Sequence, residues 1–257
     1  MFISQTQILF VLYFFTYCFI GWCIESSIVS IEMRKFVNRG FLRAPLLPLY
    51  GCAAMIIVIC TDSLKENPTL VFVVGFVMTT LLEYATGCLL EAVFGRSYWD
   101  YNDYKFNFQG RISLTSSLFW GFLSILLVYT VHPALSVCIA LIPPSLAAWL
   151  AALISLVFVL DAAFSIKAAF DITKISAAYA HISKEISYLA ENITDEAREI
   201  ARERLEALNG TRRELLQNID EFKRAHFRGN PDMKTKLPID SDTFHDLKEK
   251  ILSRISK

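Results

Sequence analysis

Five stretches of the chain, roughly 7–30, 46–62, 69–93, 113–131 and 145–169, are continuously apolar. A helix needs about 20 such residues to cross the hydrocarbon of a bilayer. No other feature limits the fold as strongly. A backbone in lipid must satisfy its own hydrogen bonds, and a single segment does that as a helix. The expectation is an all-α integral membrane fold with about five transmembrane helices, the second window being the shortest. No Lys or Arg precedes the first window, no small-residue cleavage site follows it, and Glu25 interrupts it, so it reads as a retained span rather than a signal peptide.

The polar residues divide the chain in two. Residues 1–170 hold nine of the 25 Lys and Arg and nine of the 25 Asp and Glu, so most of the charge falls in 171–257. This predicts a multi-span membrane domain, 1–170, followed by a charged cytoplasmic helical tail, 171–257. Neither part has a net charge, which gives no reason to expect a nucleic-acid partner. Arg34, Lys35, Arg39 and Arg43 follow the first span, and Arg96, Lys105 and Arg111 follow the third; Lys65 alone follows the second. By the positive-inside rule, the basic loops and the tail are cytoplasmic and the N-terminus is outside. The expected location is the cell membrane.

Several chemistries find no support. The six cysteines lie in apolar stretches without a C-x-x-C pair and read as packing thiols, and the four histidines are scattered without zinc-ligand spacing. There is no phosphate-binding loop, so any ATP would be bound by another chain. No nucleophile and base stand together, so neither an enzyme, a metal site nor a cofactor is expected.

The first two spans resemble the next two. GWCIE (21–25) matches GCLLE (87–91), and GFLRAPLLPLYG (40–51) matches GRISLTSSLFWG (110–121), with both glycines in register. The pattern predicts a parallel internal repeat over about 7–62 and 69–131, in which Glu25 and Glu91 are equivalent. Glu83, Gly87 and Glu91, spaced by four, form one slanted stripe on the third span, and Asp161 adds an acid to the fifth. Charges in lipid are costly, so these four acids should face partners or a polar cavity. Arg39, Arg43, Arg96 and Arg111 are the candidate partners.

Two polar loops follow. FVNRGFLRAPLLPLYG (36–51) joins a turn at Asn38, Arg39 and Gly40 to Pro45 and Pro48 at the start of a span. RSYWDYNDYKFNFQGRISL (96–114) crowds aromatic residues among Asp100, Asn102, Asp103 and Asn107, which suits an interfacial belt or a lid. With GWCIES (21–26), LEYATGCLLEAVFGRSYWDY (82–101), FNFQGRISL (106–114), SLFWG (117–121) and the Asp161 region, these stretches make residues 10–170 resemble the bacterial CmpB-type ABC-transporter permease family (type IV). The resemblance implies a multi-span solute permease whose characteristic positions include Glu25, Asn38, Arg39, Gly40, Pro45, Pro48, Tyr50, Gly51, Glu83, Gly87, Glu91, Trp99, Asp100, Tyr101, Asn107, Gly110 and Trp120.

In the tail, Ile175, Tyr179, Ile182, Ile186, Leu189 and Ile193 follow a coiled-coil seam, which predicts self-association or a partner over 174–208. Further helices are expected over about 211–227 and 243–256. Two functions fit the sequence. The first is a transporter permease component with a cytoplasm-facing acidic intramembrane cavity, served by a separate ATPase subunit if it uses ATP. The alternative is a membrane scaffold whose buried ion pairs are structural and whose tail recruits partners.

Overall fold

The computed structural model describes residues 4–95 and 97–191 and isolated positions at 207, 210, 211, 214 and 217. Most of the expected helix at 211–227, all of that at 243–256, residues 192–206 and 208 of the 174–208 seam together with the seam side chains before them, and Arg96 lie outside the described residues. The chain separates into two units between Ile166 and Lys167, and the first contains four of the apolar windows and most of the fifth.

The helices are α1 (Gln5–Met33), α2 (Pro48–Thr61), α3 (Pro68–Phe94), α4 (Leu114–Leu126), α5 (His132–Ala140) and α6 (Pro144–Glu191). Local chemistry sets their ends. Ser4 and Gln7 form a reciprocal capping box at the start of α1, and Arg34 closes it in the left-handed region at φ 50°. Asn67 accepts from the N–H groups of Thr69 and Leu70 at the start of α3, Pro68 occupies the first position, and Gly95 ends the helix at φ 65°.

Four segments are long and apolar enough to cross a membrane: α1, α3, α4 with α5, and the first part of α6 through Asp171. The second window differs. It forms an α-helix of 14 residues that runs on through a 3-10 turn to Leu64, about 27 Å in all against the roughly 30 Å of a hydrocarbon core. The reason is the loop before it. Residues 34–47 fold back along α1 in extended form, with the Arg39 N–H on Ser26 Oγ and the Leu47 N–H on the Cys18 carbonyl. Cys18 lies 15 residues before the end of α1, so α2 begins about 22 Å back along that helix.

The fourth window extends further than its expected end at 131. Residues 127–131 form one wide π-type turn, after which α5 continues to Ala140. Pro133 explains the turn. It offers no N–H to the preceding turn and its ring crowds the carbonyl there, and a wider turn relieves both. The all-helical expectation also needs a small amendment, because Asn107–Phe108 and Ile112–Ser113 pair as a two-stranded antiparallel hairpin inside the second loop.

α1 with α2 and α3 with α4 are antiparallel hairpins joined through α2 and α3. Small residues let the helices approach: a Cβ on Gly75 would sit 1.9 Å from Ser124 Oγ, and one on Gly121 would sit 2.6 Å from the Phe72 ring. α6 leans on α1 through Ala147 and Ala151 near Leu12, and through Phe158 against Phe14 and Phe15. Leu81, Leu89, Phe122 and Trp149 point outward, as lipid-facing side chains do. Of the six cysteines only Cys18 is fully buried, so the reading of all six as packing thiols gives way to several that face outward.

Candidate functional site

The end of the bundle that carries residues 34–47 and 95–113 gathers most of the polar side chains. At its centre is Glu83, on the inner face of α3 and only 4% exposed. Ser116 Oγ donates to it at 2.8 Å and Tyr101 Oη at 2.9 Å. Among the described residues no guanidinium pairs with it. Burying a carboxylate on neutral donors alone is an expensive arrangement, and the two hydroxyls offset part of that cost.

Glu25 belongs to the same neighbourhood. Tyr50 Oη donates to it at 2.8 Å, Arg39 Nε lies 3.9 Å away, and the Tyr50 ring packs 4.6 Å from that of Trp120. Glu25 and Glu83 are close enough for each to feel the other's charge. Tyr101, in the loop, is pushed above the ordinary range of a phenol, first by burial and then by the adjacent Glu83.

Glu91 is a different kind of site. Arg111 grips one oxygen through Nη2 at 2.5 Å and Nε at 3.1 Å. Gly87 makes room for this, with Trp99 and Arg111 at 3.4 and 3.5 Å from where a Cβ would stand. The Trp99 indole donates to the Arg111 carbonyl at 2.8 Å, and Tyr84 lies beneath the guanidinium.

Asp161 is not in the cluster. Its carboxylate accepts the backbone N–H of Ala44 at 2.8 Å and, at 3.4 Å, that of Arg43, so it ties α6 to the first loop. Arg43 therefore meets an acid through its backbone, while its side chain is exposed. Asn38 braces the same loop, accepting from the Trp22 indole at 2.5 Å and donating to the Arg43 carbonyl at 2.9 Å. Gly40 turns at φ 143°, Pro45 is exposed, and Pro48 opens α2.

The second loop folds on itself. Asn107 donates to the carbonyls of Asn102 and Tyr104 and accepts from Gly110 N–H, Asp100 accepts from Asn102 N–H, and Gly110 adopts φ 66° against the Asn102 side chain. Its aromatics split into two sets. Tyr98, Trp99 and Tyr101 turn inward, whereas Tyr104, Phe106 and Phe108 are exposed.

The expected equivalence of Glu25 and Glu91 changes in space. Tyr50 lies over Gly21, where a Cβ would be 2.2 Å from its ring, and bonds Glu25. In the same way Gly51 lies against Cys18 and Phe14, but Gly121, its sequence counterpart, lies against Phe72, eight residues before position 80, the counterpart of Phe14. The second helix of the second hairpin is therefore set about two turns further along its partner. The longer, self-folded second loop occupies the space beside Gly87 and Glu91 and displaces α4.

A half-open cavity of about 70 Å³ lies beyond Tyr50 and Trp120, between α1, α2 and α4, with the exposed Leu126 at its rim. Its walls are almost wholly hydrocarbon, and none of the four acids lines it. No group of three or more His, Cys, Asp or Glu residues suited to a metal ion occurs among the described residues.

No curated protein and no solved structure matches the chain. The profile of one family matches residues 12–166, which include both hairpins, both loops and Asp161. Together with four helices able to span a bilayer, this marks a multi-pass membrane protein related to transporters. The chain belongs to the family described as "Putative ABC-transporter type IV".

Proposed function

We propose that the protein is the membrane component of a transporter in which a polar solute or ion passes the Glu25–Glu83 cluster between the two hairpins, with the loop end facing the cytoplasm. Any ATPase is a separate chain, and this one carries no catalytic chemistry of its own. The supporting observation is Glu83: a carboxylate 4% exposed within an apolar span, held by hydroxyl donors from a loop and another helix and, among the described residues, by no arginine. An acid kept only for helix packing is better served by a guanidinium, as Glu91 is by Arg111.

Glu83→Gln preserves shape and removes the charge. The expectation is unchanged folded yield and thermal stability with loss of the transport-linked growth or uptake phenotype. The scaffold reading is favoured by Asp161 and Glu91, whose visible partners are structural. If Glu83→Gln keeps full function, or destabilises the protein as much as Glu91→Gln does, the scaffold reading replaces the transport one.

A further inference from the structure

A second polar group lies at the opposite end of the same bundle. Tyr17 Oη and His132 Nδ1 share a 2.6 Å hydrogen bond, with the Tyr13 ring 5.3 Å from the imidazole. Asp62 and Lys65 are near enough to His132 to interact with its charge, and they pair with each other at 2.7 Å. Tyr17 and Glu25 are eight residues apart on α1, or about 12 Å along its axis.

Between these two polar groups is the 70 Å³ cavity, with Tyr17 and Val131 at one end and Tyr50, Trp120 and Gly21 at the other. Ile57 and Leu127 form part of its wall. The volume exceeds the roughly 10–15 Å³ that one water requires, but water also needs two to four polar partners, and apolar cavities of this kind stay dry. The hydroxyls of Tyr17 and Tyr50 are already engaged with His132 and Glu25. The wide turn at 127–131 borders the gap, and π-type turns are places where a helix can change register.

We propose that this cavity is a hydrophobic gate for protons: dry, it isolates the Glu25–Glu83 cluster from the Tyr17–His132 pair, and when water fills it a proton can pass between them. The proposal rests on the transport reading, but its test requires neither solute nor energy source. The full chain is reconstituted in liposomes containing a pH-sensitive dye, and proton flux is followed under an imposed gradient. Leu127→Ser and Ile57→Thr place a hydroxyl in the wall, and each should raise proton flux about tenfold over wild type. Leu81→Ser, on the outward face of α3, should not. Two wall variants are used so that one poorly folded protein does not decide the result, and folding is checked by size exclusion and helical circular dichroism. Folded wall variants as tight as wild type overturn the gate and leave the transport reading to its own test. A leak removed by adding Glu83→Gln supports both. A leak that persists in the double variant keeps the gate but removes Glu83 from the pathway, which counts against the transport reading.

Discussion

The two hairpins carry acids and glycines that match in sequence but secure them by different means. In the first, the loop borrows its order from α1: Val37, Arg39 and Leu47 donate backbone N–H groups to Ser30, Ser26 and Cys18, and Asp161 of α6 fixes Arg43 and Ala44. In the second, the loop supplies its own order through Asn107 and the short strand pair, and then sends Arg111 and Tyr101 into the helices. A borrowed conformation is sensitive to any change in its support. A self-folded one is sensitive to changes within itself.

The largest expected contrast lies in the ion pairs. Glu91→Gln leaves Arg111 mostly buried without its carboxylate and should cost about 3 kcal/mol of stability. Glu25→Gln loosens a 3.9 Å contact to Arg39 from an acid 32% exposed, and should cost about 1 kcal/mol or less. Thermal unfolding of the two variants in detergent compares them directly. Equal losses would mean that the two pairs carry the same load.

Glycine replacements come next. At Gly21 a methyl group would lie 2.2–2.7 Å from Tyr50, so Gly21→Ala must move that ring away from Glu25 and should cost about 2 kcal/mol. At Gly87 the nearest atoms are 3.4–3.6 Å away, ordinary contact, and Gly87→Ala should change stability by less than about 0.5 kcal/mol. Similar melting shifts for the two would show that the different helix registers do not matter energetically.

The sequence revealed most where lipid imposes one answer. The third window, 69–93, lies within a residue of α3 at each end, because a span must be apolar throughout and Asn67 and Gly95 mark its ends. The stripe from Glu83 to Glu91 could also be read, since helical spacing alone determines it. Other features left no pattern. Residues 46–62 are apolar enough to look like a span, and only the return of residues 34–47 along α1 reveals a short helix. Asp161 bonds backbone N–H groups, which every residue offers, so its role as an anchor had no sequence signature. Composition and spacing do not separate Tyr101 from its exposed neighbours Tyr104, Phe106 and Phe108; only the family resemblance singles it out. The fourth window is expected to end at 131, whereas one wide turn lets the helix continue.

The two loop asparagines should differ in where their effects fall rather than in size. Asn38→Ala removes the link to Trp22 and should speed amide exchange across 36–47 and the end of α1, at about 1 kcal/mol. Asn107→Ala should cost a similar amount but confine faster exchange to 100–113, because its partners are Asn102, Tyr104 and Gly110. Exchange measured by mass spectrometry distinguishes local from shared order. Matching exchange patterns would erase the difference between borrowed and self-made loops.

The shortness of α2 has a consequence for the surrounding lipid. With its 3-10 end the α2 segment has 17 residues against the 29 of α1, so the leaflet beside the first loop is expected to thin or to draw headgroups inward toward Arg39 and Arg43. Such a deformation would fall on one flank of the protein. Elastic strain of that kind is relieved in thin membranes and grows in thick ones, so acyl chain length becomes a variable acting on the first hairpin more than on the second.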